Sequence, residues 1–119
     1  METKDIAEKW ASMCKEGKNL DFINEYYSDN VSSREMPGMS NEVTTGKQNV
    51  WNKNKEWLES VEEVHDEYIG DPVVADKHFT SKMVYDVTFK KRGRQKLEEI
   101  GVYQVENGKI ASEQFFYSM

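Results

Sequence analysis

Residues 83–119, MVYDVTFKKRGRQKLEEIGVYQVENGKIASEQFFYSM, decide the fold. Inside this stretch, Asn107-Gly108 stands between two runs of alternating apolar residues. A two-residue hairpin turn needs φ > 0 at both central positions, and Asn followed by Gly supplies it. The pattern predicts that Ile100–Glu106 pairs antiparallel with Lys109–Tyr117. A two-residue loop also sets the register: Glu106 faces Lys109, Val105 faces Ile110, Gly101 faces Gln114 and Glu99 faces Phe116. If Arg92-Gly93 is the loop before it, Lys91 faces Arg94 and Asp86 faces Glu99; a loop longer than two residues within Lys90–Lys96 would undo that pairing. Met83 to Met119 is then three antiparallel strands. Two acids side by side on a sheet repel, so one should keep its proton.

Upstream of the hairpins the period changes from two to that of a helix. Thr3 is a candidate cap for a helix carrying Ile6, Trp10, Met13 and Cys14 on one face, and Gly17 ends it. Asn19 or Asp21 can cap a second helix with Leu20, Ile23, Tyr26 and Tyr27, broken by Ser28-Asp29-Asn30. Val31–Met36 reads as a short strand stopped by Pro37-Gly38, and Ser40–Thr45 as a polar loop. Thr45 can cap a third helix across Gln48–Ser60, with Val50, Asn54, Trp57, Leu58 and Val61 on one side. Val61–Ile69 alternates loosely and reads as a strand, although its acids also allow the third helix to run further; Gly70-Asp71-Pro72 is a turn, and Val73–Ala75 with Phe79–Phe89 a hairpin about Asp76-Lys77. Three helices followed by meandering strands make an α+β domain, helices gathered on one face of an antiparallel sheet.

The totals narrow the function. The 119 residues suit one domain with one real core, and 37% of them are apolar and 12% aromatic. A net charge of -6 argues against nucleic acid as a partner. The lone Cys14 forms no internal disulfide and suits a reducing cytoplasm. The N-terminus carries Glu2, Lys4 and Asp5 and no apolar segment, so no signal peptide or membrane span is expected. Both faces of the last hairpin are apolar: Gly101, Tyr103, Val105, Ile110 and Phe116 on one, Ile100, Val102, Phe115 and Tyr117 on the other. A sheet covered on one side should be polar on the other, so the second face is expected to bury itself against a like subunit.

The order resembles the nuclear transport factor 2-like superfamily, in its SnoaL-like and ketosteroid-isomerase-like branch. Tyr27-Ser28-Asp29-Asn30-Val31 leading to Glu35, Gly46 opening the third helix, the run Leu97–Ile110 and the ending Glu113-Gln114-Phe115-Phe116-Tyr117 carry the likeness. The resemblance implies a cone-shaped α+β barrel, a curved sheet wrapped around N-terminal helices, with a pocket between them and a tendency to dimerise. It also implies a carboxylate base at Glu35. Trp10 stands where such enzymes place a phenol, and Glu99 lies two residues from the position of their protonated sheet acid, near Gly101. Where relatives often have a second acid before the final aromatics, this chain has Gln114.

The candidate chemistry follows. Glu35, with Met36 and Met39 beside it, is the expected base, because a carboxylate lined by apolar groups has a raised pKa. Asp86 and Glu99, sharing a proton, would polarise a substrate oxygen with Gln114. His65 is a further acid–base candidate at neutral pH, while His78 beside a turn reads as exposed. Trp10, Tyr27, Trp57 and Tyr103 are the candidate pocket wall, and Trp51 and Tyr85 fall at core-like spacing. No His, Cys and carboxylate spacing suits a metal, and no glycine-rich phosphate loop is present, so no cofactor is expected. The basic run Lys90–Lys96 reads as a solvated hairpin tip. The combined expectation is a small-molecule pocket protein with cofactor-free acid–base chemistry, as an isomerase, cyclase or hydratase. The alternative is a ligand-binding or dimerisation domain without catalysis.

Overall fold

A computed structural model describes residues 1–118, so Met119 lies outside the described residues. The chain runs α1 (Thr3–Lys15), α2 (Asn19–Tyr26), β1 (Tyr27–Arg34), β2 (Val43–Thr45), α3 (Lys47–Ser60), β3 (Val61–Ile69), β4 (Val73–Ala75), β5 (His78–Phe89), β6 (Gly93–Glu106) and β7 (Lys109–Phe116). The strands form one open sheet in the order β2-β1-β7-β6-β5-β3, with β4 also paired to β5. This is the expected α+β cone: a curved sheet folded over three helices. One pairing departs from an all-antiparallel sheet, since β1 runs parallel to β7.

The helices form where apolar spacing lets them bury a stripe. In α1 the buried residues are Ile6, Ala7, Trp10, Ala11 and Cys14, a repeat of three and four. Its start lies one residue before the expected Thr3 cap: the Asp5 carboxylate accepts the Glu2 N–H at 3.0 Å. The helix stops at Gly17, whose φ of 74° is the left-handed conformation a terminating glycine adopts. The second helix passes directly into β1 at Tyr27, so Ser28-Asp29-Asn30 is strand and not a break. The expected polar loop at Ser40–Thr45 ends in the short strand β2. Gly46, with φ 97°, precedes α3 in place of the expected Thr45 cap. On α3 only Val50 is fully buried, and Leu58 turns to solvent.

The core fills the space between α1, α2 and the sheet. Ile6, Trp10, Phe22, Ile23, Tyr27, Val31, Val50, Phe79, Met83, Tyr103, Val105 and Ile110 are all buried there. Side chains of this size contribute about 1.5–3 kcal/mol each when removed from water. Trp10, Phe79 and Tyr103 pack ring on ring, with Phe79 and Tyr103 stacked at 4.8 Å between centroids. No helix among the described residues is long and apolar enough to cross a membrane.

The register of the hairpins holds near one turn and slips elsewhere. Glu106 pairs with Lys109 and Val105 with Ile110, as the Asn107-Gly108 turn requires. Gln104 then pairs with Ser112, so Ala111 is an extra residue, a β-bulge. Beyond it every side chain changes face. Gly101 lies opposite Phe115 instead of Gln114, and Ile100 instead of Glu99 lies opposite Phe116. Glu113 and Phe115 therefore point inward, while Gln114 and Phe116 point outward. At the other hairpin the loop is longer than Arg92-Gly93: Phe89 pairs with Gly93, Asp86 with Lys96 and Met83 with Glu99. The expected Asp86–Glu99 pair does not form.

Candidate functional site

Alternation along three strands and one helix gathers the polar groups inside the cone. On β1, Val31 and Ser33 are buried on one side, and Glu35 follows in the same period. On β6, Glu99, Gly101, Tyr103 and Val105 share the inner face, and on β7 the bulge turns Glu113 inward. Lys53 lies three residues after the buried Val50 and so projects from the inner side of α3.

Between the sheet and the helices is a cavity of about 90 Å³ lined by Trp10, Cys14, Asn19, Phe22, Ile23, Tyr27, Asn54, Met83, Tyr85, Glu99, Tyr103, Glu113 and Phe115. Since one water fills roughly 30 Å³ of liquid, the space suits a molecule of only a few non-hydrogen atoms. Two wider hollows, of about 640 and 410 Å³, lie at the surface beside the Asn107-Gly108 turn and between Lys15 and β3. Neither includes any of the expected site residues. Gly101 leaves room for two of the lining side chains: a Cβ there would stand 2.9 Å from both the Met83 Cε and the Tyr103 hydroxyl.

A hydrogen-bonded network borders this cavity. Glu113 is 3% exposed; Tyr27 donates its phenol proton to Oε1 and Ser33 donates to Oε2 at 2.6 Å. The Lys53 ammonium donates to Ser33 Oγ at 2.8 Å and to Glu35 Oε2 at 3.1 Å. Tyr117 donates to Glu35 Oε1 at 2.8 Å. Glu35 and Lys53 are a mostly buried ion pair, each side chain 16% exposed. Burial pushes the Glu113 carboxyl up, and the hydrogen bonds from Ser33 and Tyr27 and the Lys53 charge pull against it. Burial, and then the neighbouring Glu113 charge, also hold the Tyr27 phenol well above its ordinary range.

Glu99 differs from these. Among the described residues its carboxyl has no hydrogen-bond or ion-pair partner. Burial, followed by the nearby charges of Glu35 and Glu113, pushes it up to about 7, with Lys53 opposing. Beside it, the buried Tyr103 phenol has the Met83 sulfur, at 4.0 Å, as its acceptor. The cavity thus offers a carboxyl able to exchange a proton near neutral pH and a phenol with a weak partner. That combination can remove a proton from carbon and hold the resulting oxyanion.

Not every expected site residue is here. Trp10, Tyr27, Glu99 and Tyr103 line the cavity. Glu35 adjoins it through Lys53 and Tyr117. Trp57 stands one layer back, 5.6 Å from the Tyr85 ring and 5.9 Å from Phe89. Gln114 is exposed on the outer face. Asp86 also faces outward, where Arg94 holds it with two hydrogen bonds of 3.0 and 2.9 Å and keeps its pKa below the usual carboxylate range. His65 lies on that outer side, 2.7 Å from the Thr88 hydroxyl and 3.2 Å from Glu63. Glu113, Ser33, Lys53, Asn54 and Tyr117 were not expected. Ser33 shares the period of Val31 and Glu35, and Lys53 that of Val50, so both were within reach of periodicity. Glu113 needed knowledge of the bulge. No group of three or more His, Cys, Asp or Glu arranged for a metal occurs among the described residues.

Comparison with known proteins agrees with this architecture. A proposed SnoaL-like polyketide cyclase from Mesorhizobium loti superposes with a TM-score of 0.92 at 33% identity, over 98% of this chain and all of that one. A nuclear transport factor 2-like protein of unknown function from Burkholderia pseudomallei gives 0.78 at 13% identity, over 99% of this chain and 92% of that one. A protein with a ketosteroid isomerase-like fold from Catenulispora acidiphila, in complex with trimethylamine, gives 0.74 at 19% identity, over 96% and 85%. No curated protein matches the chain in sequence. The SnoaL-like domain matches residues 1–117, nearly the whole chain, and the protein belongs to that family.

Proposed function

We propose that this protein is a small-molecule pocket protein that transfers protons without a cofactor, acting on a compact carbonyl-containing substrate. Glu99 is the proton-transferring group. As a carboxylate it takes a proton from the carbon next to the carbonyl, and the C–H electron pair moves onto the carbonyl oxygen. The Tyr103 phenol donates a hydrogen bond to that oxygen. Where the substrate carries a C=C next to that carbon, the electron pair returns from oxygen through the dienolate to the far carbon of the C=C, which takes the proton from Glu99; the C=C moves into conjugation, an isomerisation with every atom conserved. A cyclisation or a hydration would use the same two groups. The observation that carries this reading is an unpaired, mostly buried carboxyl, raised to about 7, on the wall of an aromatic cavity. The engagement of both Glu35 oxygens, by Lys53 and by Tyr117, supports Glu99 over Glu35 as the proton-transferring group.

The outer sheet face supports the second part of the proposal, a homodimer; the lone, buried Cys14 supports a reducing cytoplasm as its setting. Tyr68, Ile100 and Phe116 are 56%, 49% and 44% exposed on that face. Thermal-shift screening with small ketones, lactones and apolar acids tests the pocket. A rise in melting temperature for a small ketone or lactone, lost in Trp10→Ala, supports it. A silent screen favours the alternative, an interaction domain without catalysis. Light scattering at micromolar concentration tests the dimer, and a monomeric mass overturns it.

A further inference from the structure

We infer that Lys53 is a positioning residue for this proton transfer: its ammonium ties down Glu35 and, through Ser33, Glu113, which leaves Glu99 as the acid free to hold the mobile proton. The inference rests on the proposed role of Glu99. Three carboxyls sit around one cation. Lys53 reaches Glu35 directly at 3.1 Å and Ser33 at 2.8 Å, and the Ser33 hydroxyl in turn donates a hydrogen bond to Glu113 at 2.6 Å. The remaining side of the ammonium faces the Phe115 ring, 5.9 Å from its centre. Every strong donor of the network therefore ends on Glu35 or Glu113, and none on Glu99.

The groups around Glu99 come from every packed layer. Tyr27 opens β1 and Glu35 directly follows it, Glu113 lies on β7 with Tyr117 just after it, Tyr85 on β5, Tyr103 on β6, Cys14 on α1 and Lys53 on α3. Burial holds the phenols of Tyr27, Tyr85 and Tyr103 and the Cys14 thiol too high to ionise near neutral pH. Among the described residues, Lys53 is thus the one cation placed to decide how protons divide among the three acids. Its loss raises the proton affinity of Glu99, because the two neighbouring acids are then unopposed. Lys53→Arg preserves the charge and the reach.

The test is a pH titration of the carboxyl carbons by NMR in the wild type, Lys53→Met, Lys53→Arg and Glu35→Gln. The expected result is a Glu99 midpoint near 7 in the wild type. It rises by about tenfold in proton affinity in Lys53→Met and returns toward the wild-type value in Lys53→Arg. In Glu35→Gln it falls, because one repelling charge is gone; that variant keeps the test decisive should Lys53→Met fail to fold. A wild-type Glu99 midpoint in the ordinary carboxylate range overturns the parent reading. A wild-type midpoint near 7 that does not rise in Lys53→Met overturns the role of Lys53 alone.

Discussion

Glu99 and Asp86 sit on neighbouring strands, carry the same chemistry and meet opposite fates. Asp86 points out of the sheet and meets the Arg94 guanidinium in a two-pronged contact. Glu99 points into the cone, meets rings and two other acids, and has no partner of its own among the described residues. One is driven below the usual carboxylate range by its cation, the other above it by loss of water. The side chain's face of the sheet decides which influence acts, and a one-residue slip exchanges the faces.

The strongest way to break the contrast is Glu99→Gln. For any substrate that the ligand screen yields, kcat should fall by about 10²–10⁴, the usual contribution of a positioned acid or base. Unchanged turnover would remove Glu99 as the proton-transferring group. Next in size is pH dependence. A carboxyl raised from 4.5 to about 7 on folding holds its proton more tightly in the native state. Its stabilising contribution is full below pH 4.5 and disappears as pH rises through 7, worth about 3 kcal/mol in all. Urea midpoints of the wild type should therefore drop between pH 5 and 8, less steeply in Glu99→Gln; the raised Glu113 keeps part of the slope in both. Equal slopes in wild type and variant would show that Glu99 titrates as an ordinary acid.

Ser33→Ala sharpens the comparison from the other side. It removes the donor to Glu113 Oε2 and the acceptor of Lys53. With Ser33 fully buried, the loss should cost about 1–3 kcal/mol in denaturant unfolding. A neutral substitution would mean that the network closes without the hydroxyl. Asp86→Asn should do least. The pair it breaks is exposed and screened by salt, so the melting temperature at moderate ionic strength should stay within experimental error. A clear drop would give the outer pair a structural role that this account denies it.

These two acids also mark how far the sequence could be read. The helices announced themselves through Ile6, Trp10 and Cys14, and the last hairpin through Asn107-Gly108, because period and turn chemistry are local. Val105–Ile110 pairing followed from the turn alone. What lay beyond Ala111 did not, because a bulge is a choice made by the whole sheet and leaves only a weak mark, here the small pair Ala111-Ser112 in a strand of bulky residues. That single extra residue sent Gln114 out and brought Glu113 in. The Asp86–Glu99 pair failed for a related reason: several loop lengths fit the basic run Lys90–Lys96, and the one adopted places Phe89 opposite Gly93. Glu99 itself was legible, through alternation with Gly101 and Tyr103.

The cone turns one acid inward and leaves it without a partner among the described residues, while its neighbour on the adjacent strand faces outward and is held by Arg94. Carboxyl-carbon NMR of the intact protein, titrated from pH 3 to pH 9 with Glu99 and Asp86 followed in the same spectra, tests it most directly. The account predicts a Glu99 midpoint of about 7 and an Asp86 midpoint below the usual carboxylate range. Two midpoints lying together in that usual range would contradict it.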